Sequence, residues 1–183
     1  MRYRNEVSRL AFIESALAGA GFETLWNFST PNGVFTFIPF LLMGGIHAER
    51  DTTAALLEGR ESIFLQHLWA TFTGDKIAAP FEDWAPYVAA MARPGIAASS
   101  SSYYRAVYQS AEQVRTLILE KLEIPVLAIA GKEGIGTNHE ALVRAFSSNL
   151  VENILLPGAG HFIAEERPQE LTAAMVRFLA TDF

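Results

Sequence analysis

The sequence predicts an α/β fold in which a short parallel sheet is flanked by helices and interrupted by a large helical insertion. Two short runs, Pro125 to Ala130 and Val151 to Leu156, are wholly or nearly apolar, as strands covered on both faces of a parallel sheet must be. A helical pattern separates them, which makes a strand–helix–strand unit. A third run, Val7 to Ile13, lies more than a hundred residues upstream of the second. That gap has mainly helical periodicity and is far longer than an ordinary crossover.

The elements follow in order. Val7 to Ile13 reads Val-Ser-Arg-Leu-Ala-Phe-Ile and runs into Glu14-Ser15. Phe35 to Phe40 is read as a pocket wall or core segment. Leu57, Phe64, Leu65, Leu68, Trp69 and Phe72 then mark one amphipathic helix, Phe81 to Met91 a second, and Tyr103 through Leu122 a third. Gly74-Asp75 and Arg93-Pro94-Gly95 punctuate them. The serines at 99 to 102 read as the approach to a helix, with Ser101 or Ser102 as its cap. Between the last two strands, Thr137 or Asn138 caps a helix whose apolar side is Ala141, Leu142, Val143, Ala145 and Phe146. Pro168 suits a first helical turn, and Leu171, Met175, Phe178 and Leu179 give the final helix its apolar stripe. No internal repeat interrupts this order.

Composition narrows the function classes. The 183 residues are 50% hydrophobic and 19% charged, which excludes disorder and fits one folded unit with a substantial core. Lys plus Arg number 14 against 20 for Asp plus Glu, for a net charge of -6. That balance argues against nucleic acid and anionic membrane surfaces as partners. With no cysteine, disulfides, thiolate zinc sites and a cysteine nucleophile are excluded. The longest apolar stretch, Gly33 to Ile46, contains Pro39 and the pair Gly44-Gly45 and falls short of the roughly 18 residues that a membrane span requires. A soluble, cytoplasmic protein is the expectation.

One stretch suggests chemistry. Residues 155 to 168 read Leu-Leu-Pro-Gly-Ala-Gly-His-Phe-Ile-Ala-Glu-Glu-Arg-Pro, an apolar strand running into a small-residue turn that ends on His161. Such a turn projects the ring from the edge of the sheet, where it could transfer protons; a solvated loop histidine is the plainer alternative. His47, His67 and His139 show no metal-ligand spacing and read as surface or packing residues.

The order of these elements, with Glu14-Ser15, Leu-Leu-Glu-Gly-Arg-Glu at 56 to 61, Tyr103-Tyr104-Arg105, Pro-Val-Leu-Ala-Ile-Ala-Gly and Pro-Gly-Ala-Gly-His-Phe, resembles the C-terminal part of an α/β-hydrolase. The group is that of the epoxide hydrolases and haloalkane dehalogenases, and the Cif-type epoxide hydrolases are the nearest in pattern. The resemblance implies a partial α/β-hydrolase fold: the last three parallel strands with their flanking helices, and a helical cap. Residues 1–18 and 118–183 would belong to the core and 19–117 to the cap.

By the same resemblance, His161 is the general base that activates water against an ester intermediate on an aspartate nucleophile. A base histidine needs an acid to orient it. The family's Gly-x-x-Asp stretch reads Gly131-Lys132-Glu133-Gly134 here, with glycine in place of aspartate. The Cif-type position after the sixth strand holds Glu14, which is therefore the expected acid, with Glu133 as second choice. Tyr104, the second of the Tyr-Tyr pair, would hydrogen-bond the epoxide oxygen, and Asn27 of Trp26-Asn27-Phe28 could contact substrate.

No cofactor or metal is implied, and the substrate would be a small, uncharged, apolar molecule. The nucleophile elbow, Gly-x-Asp-x-Gly or Gly-x-Ser-x-Gly, and the His-Gly-x-Pro loop of the family are absent from these 183 residues. The chain is then expected to be the later part of a longer hydrolase or a half-enzyme, whose open sheet edge a second copy or a partner chain would cover. The alternative is a noncatalytic ligand-binding or assembly module that retains the cap.

Overall fold

A computed structural model describes residue 3, residues 6–26 and residues 52–182. Three strands, β1 (Leu10–Ile13), β2 (Val126–Gly131) and β3 (Leu150–Leu156), form a parallel sheet in the order β1-β2-β3. This is the sheet that the apolar runs predict. β1 begins at Leu10 rather than Val7, because pairing starts where Leu10 N–H meets the Pro125 carbonyl at 3.0 Å.

Between β1 and β2 the chain forms α1 (Thr52–Leu57), α2 (Glu61–Phe72), α3 (Ala85–Met91), α4 (Ile96–Arg105) and α5 (Val107–Leu117). A 3₁₀ turn, Phe81–Trp84, leads into α3. α6 (Asn138–Phe146) crosses from β2 to β3, and α7 (Ile163–Glu166) and α8 (Pro168–Ala180) end the chain.

The strictly apolar β2 is explained by its two faces. Leu127 and Ile129 pack with Ile163, Ala174 and Phe178 on one side; Val126 and Ala128 pack with Leu122, Val143 and Phe146 on the other. Every residue of β2 is buried, and each large side chain so buried is worth about 1.5–3 kcal/mol. Arg9 ties β1 to the last helix: its guanidinium donates to the carbonyls of Phe178, Leu179 and Thr181, each at 2.9 Å. Those are groups a helix end leaves without an internal partner.

Expected helices are divided differently. The stretch from Leu57 to Phe72 is two helices, broken at Gly59, whose φ of 73° lies in the left-handed region. The helix expected through Leu122 turns at Ala106 and stops at Leu117, because Leu122 is drawn to the end of α6: its N–H donates to the Phe146 carbonyl at 2.8 Å. The serines at 99 to 102 lie inside α4 rather than before it, and Ser101 Oγ donates to the Ala97 carbonyl one turn back. Asn27, Phe35 to Phe40 and His47 lie outside the described residues. Among the described residues, no helix is long and apolar enough to cross a membrane.

Candidate active site

All three strands run the same way, so their C-terminal ends lie on one edge of the sheet, where open α/β sheets bind ligands. Glu14, Gly131 and the turn after Leu156 meet there. Glu14 has φ of 39°, the one positive value at a non-glycine among the described residues. Such a backbone costs on the order of 1–3 kcal/mol and persists only where surroundings impose it. Here the bend directs the side chain across the end of β2. The carboxylate is buried, with Oε2 accepting from Gly131 N–H at 2.8 Å and Oε1 from Ile135 N–H at 2.7 Å. A methyl group on Gly134 would fall 2.2 Å from Oε1, so the carboxylate fits only because that position has no side chain.

His161 Nδ1 stands 3.7 Å from Glu14 Oε1. That is ion-pair reach and longer than a hydrogen bond. The histidine is held by its backbone, since its N–H donates to the Phe72 carbonyl at the end of α2 at 2.8 Å. Its ring lies between those of Phe72 and Phe162, with centroids at 6.2 and 5.3 Å, and half of its side chain stays exposed. Ile13, Phe162, Ile163 and Leu171 line the cleft beside the pair. The arrangement offers a ring nitrogen, Nε2, on the side away from a buried carboxylate, in mainly apolar surroundings.

The other predicted site residues are placed differently. Glu133 is exposed, and its N–H donates to the Ala159 carbonyl; it shares a turn with the Glu14 cradle. Tyr104 lies on α4 with its ring against Tyr103. Burial pushes its phenol above the ordinary tyrosine value, with Tyr103 adding to the rise, so it stays protonated and able to donate. Glu166, which no local pattern marks, is buried beside His161 and accepts from the N–H groups of Gly160 and Phe162. Among the described residues no group of three metal-ligating side chains could hold an ion.

His139 sits behind Glu14, buried and stacked on Phe12 at 5.7 Å, a packing residue rather than a surface one. Neither ring nitrogen makes a hydrogen bond of ordinary geometry, although the Ser15 backbone lies close. Burial pushes its pKa below the usual 6.5, against smaller opposing pulls from Glu14 and Ser15. The unfolded chain therefore takes up this proton first. The stability that this ring's neutral burial contributes is present above pH 6.5 and falls as the pH drops towards the depressed native value. Thermal unfolding between pH 7 and 5 should show this decline, and His139→Phe should flatten it; an unchanged curve in the variant would show that this ring is not its source.

No family model matches the chain. It is 32% identical over 90 residues to epoxide hydrolase 3 of Mus musculus, a match covering 48% of this chain and 23% of that protein. To the soluble epoxide hydrolase of Corynebacterium sp. (strain C12) it is 26% identical over 135 residues, 71% of this chain and 46% of that protein. Among solved structures it superposes on the Cif epoxide hydrolase of Acinetobacter nosocomialis with a TM-score of 0.82 at 20% identity, covering 96% of this chain and 54% of the other. The chain thus spans less than half the length of these two curated relatives. It has part of the α/β-hydrolase fold, and the curated relatives it matches are epoxide hydrolases.

Proposed function

We propose that the chain is the base-bearing part of an epoxide-hydrolase-like enzyme. In this reading His161 deprotonates, through Nε2, the water that attacks an ester intermediate, and the buried Glu14 holds the ring and stabilises its cation. Residues 19–117 act as the cap, and Tyr104 donates to the epoxide oxygen as it opens. The observation that carries the reading is the 3.7 Å approach of His161 Nδ1 to a carboxylate fixed by two backbone N–H groups. The nucleophile, an aspartate that first attacks the epoxide carbon, comes from outside these 183 residues. The substrate is a small, uncharged, apolar epoxide, and the protein works in the cytoplasm without a cofactor.

Complementation tests this. An N-terminal fragment of a Cif-type hydrolase carrying the nucleophile, mixed with this chain, should turn over a small aryl epoxide. His161→Gln should leave the ester to form once and then persist, detectable as added mass on the fragment. Turnover that survives His161→Gln would contradict the assignment.

A second reading is favoured by the free side of β1, which pairs with β2 alone among the described residues. There the chain is a noncatalytic ligand-binding or assembly module that uses this edge to pair with a second copy or a partner chain. Ligand binding without turnover, indifferent to His161→Gln, together with a dimer in sedimentation, would favour it.

A further inference from the structure

We infer that Glu166 is the positioning residue of His161: its carboxylate fixes the backbone on both sides of the histidine and joins it to the end of α2. The inference rests on the reading of His161 as the base.

The geometry begins with three consecutive N–H groups. Gly160 donates to Glu166 Oε1 and Oε2 at 3.0 and 2.9 Å, His161 to the Phe72 carbonyl at 2.8 Å, and Phe162 to Glu166 Oε1 at 3.1 Å. The same carboxylate accepts from Gly74 and Asp75, through Oε2, at 2.8 and 3.2 Å. Four backbone donors from two segments thus converge on one buried side chain. Hydrogen bonds to a carboxylate are about twice as strong as neutral ones, and the sequence separation to Gly74 makes this a long-range tie.

The two segments touch backbone to backbone. A methyl on Gly160 would lie 2.1 Å from the Phe72 carbonyl oxygen, and one on Gly74 would lie 2.8 Å from Gly160 N. Neither glycine has room for a side chain. Arg167 pairs with Asp75 at 3.5 Å, a further contact between the same two segments, and Tyr87 Oη on α3 donates to Glu165. Displacing the end of α2 must therefore either carry the His161 backbone with it or break its bonds to Glu166. Glutamine keeps the shape of Glu166 and replaces one oxygen by an NH₂ group. That group would face donors it cannot accept from.

The test uses the 183-residue chain labelled with ¹⁵N and ¹³C. In the unaltered protein, through-hydrogen-bond couplings should run from the Gly74, Gly160 and Phe162 amides to the Glu166 carboxylate carbon; their absence overturns the inference without any variant. Glu166→Gln should speed amide exchange at Gly74, Gly160 and Phe162 by about tenfold or more. It should also turn the His161 ring from one neutral tautomer into a mixture. A purely structural role would leave the ring unaffected. If Glu166→Gln does not fold, Gly74→Ala pries the same segments apart and should mix the tautomers likewise. A ring that responds to Glu14→Gln and not to Glu166→Gln or Gly74→Ala overturns the inference and leaves the base–acid reading standing. A ring that responds to Glu166→Gln and ignores Glu14→Gln supports the positioning role and sinks the pairing with Glu14.

Discussion

Gly131→Ala is expected to cost at least about 3 kcal/mol of stability and to leave little folded protein at 37 °C. Gly131 ends β2 and is buried. A methyl group there would lie 2.1 Å from the Gly160 carbonyl oxygen and 2.4 Å from that of Ala159. Both are backbone atoms of the turn that carries His161, and Gly160 is itself pinned by Glu166, so no flexible side chain can yield. The strand end and the histidine turn must separate, which would also withdraw Gly131 N–H from Glu14. Urea unfolding followed by far-ultraviolet circular dichroism checks this. An unchanged midpoint would show that the two segments are not in backbone contact.

Glu14→Ala is the second large loss, of about 2–5 kcal/mol, from stranding buried donors. Gly131 N–H and Ile135 N–H each lose their acceptor. Alanine also keeps an L side chain at a φ of 39°, so the backbone strain remains while the bonds that offset it disappear. Glu14→Gln retains one acceptor oxygen and should lose less. A carboxylate that was merely a solvated strand end would make both substitutions nearly neutral. Equal urea midpoints for the unaltered protein, Glu14→Ala and Glu14→Gln would show that.

The central strand was legible because burial on both faces forces it to be apolar throughout. Leu127 with Ile129 and Val126 with Ala128 serve opposite cores, and so short an apolar run bounded by turns suits a strand better than a helix. Helix limits were less so. The end of α5 depends on Leu122 bonding to Phe146, a partner 24 residues away by the difference of their numbers, which periodicity cannot register. The glycines at 74, 131 and 160 read as turn residues, yet their shared reason is close approach of segments distant in sequence.

The site divides the same way. His161 stands out in a small-residue turn after a strand. Glu14 looks like any strand-end carboxylate, and only the resemblance to Cif-type hydrolases singled it out; its positive φ and its two amide donors are properties of the fold. Glu166 had no signal of its own. Its donors at Gly74 and Asp75 lie 92 and 91 positions away, and the local stretch Glu-Glu-Arg-Pro reads as nothing more than the lead into a helix.

The ¹⁵N shifts of the His161 ring in its neutral form test most directly whether this histidine is oriented as a base. A ring held by Glu14 carries its proton on Nδ1, facing the carboxylate, and leaves Nε2 bare for a water molecule. A single Nδ1–H tautomer that becomes mixed in Glu14→Gln is the expected result. An Nε2–H tautomer in the unaltered protein would place the proton where the base must accept one, and would contradict the role assigned to His161.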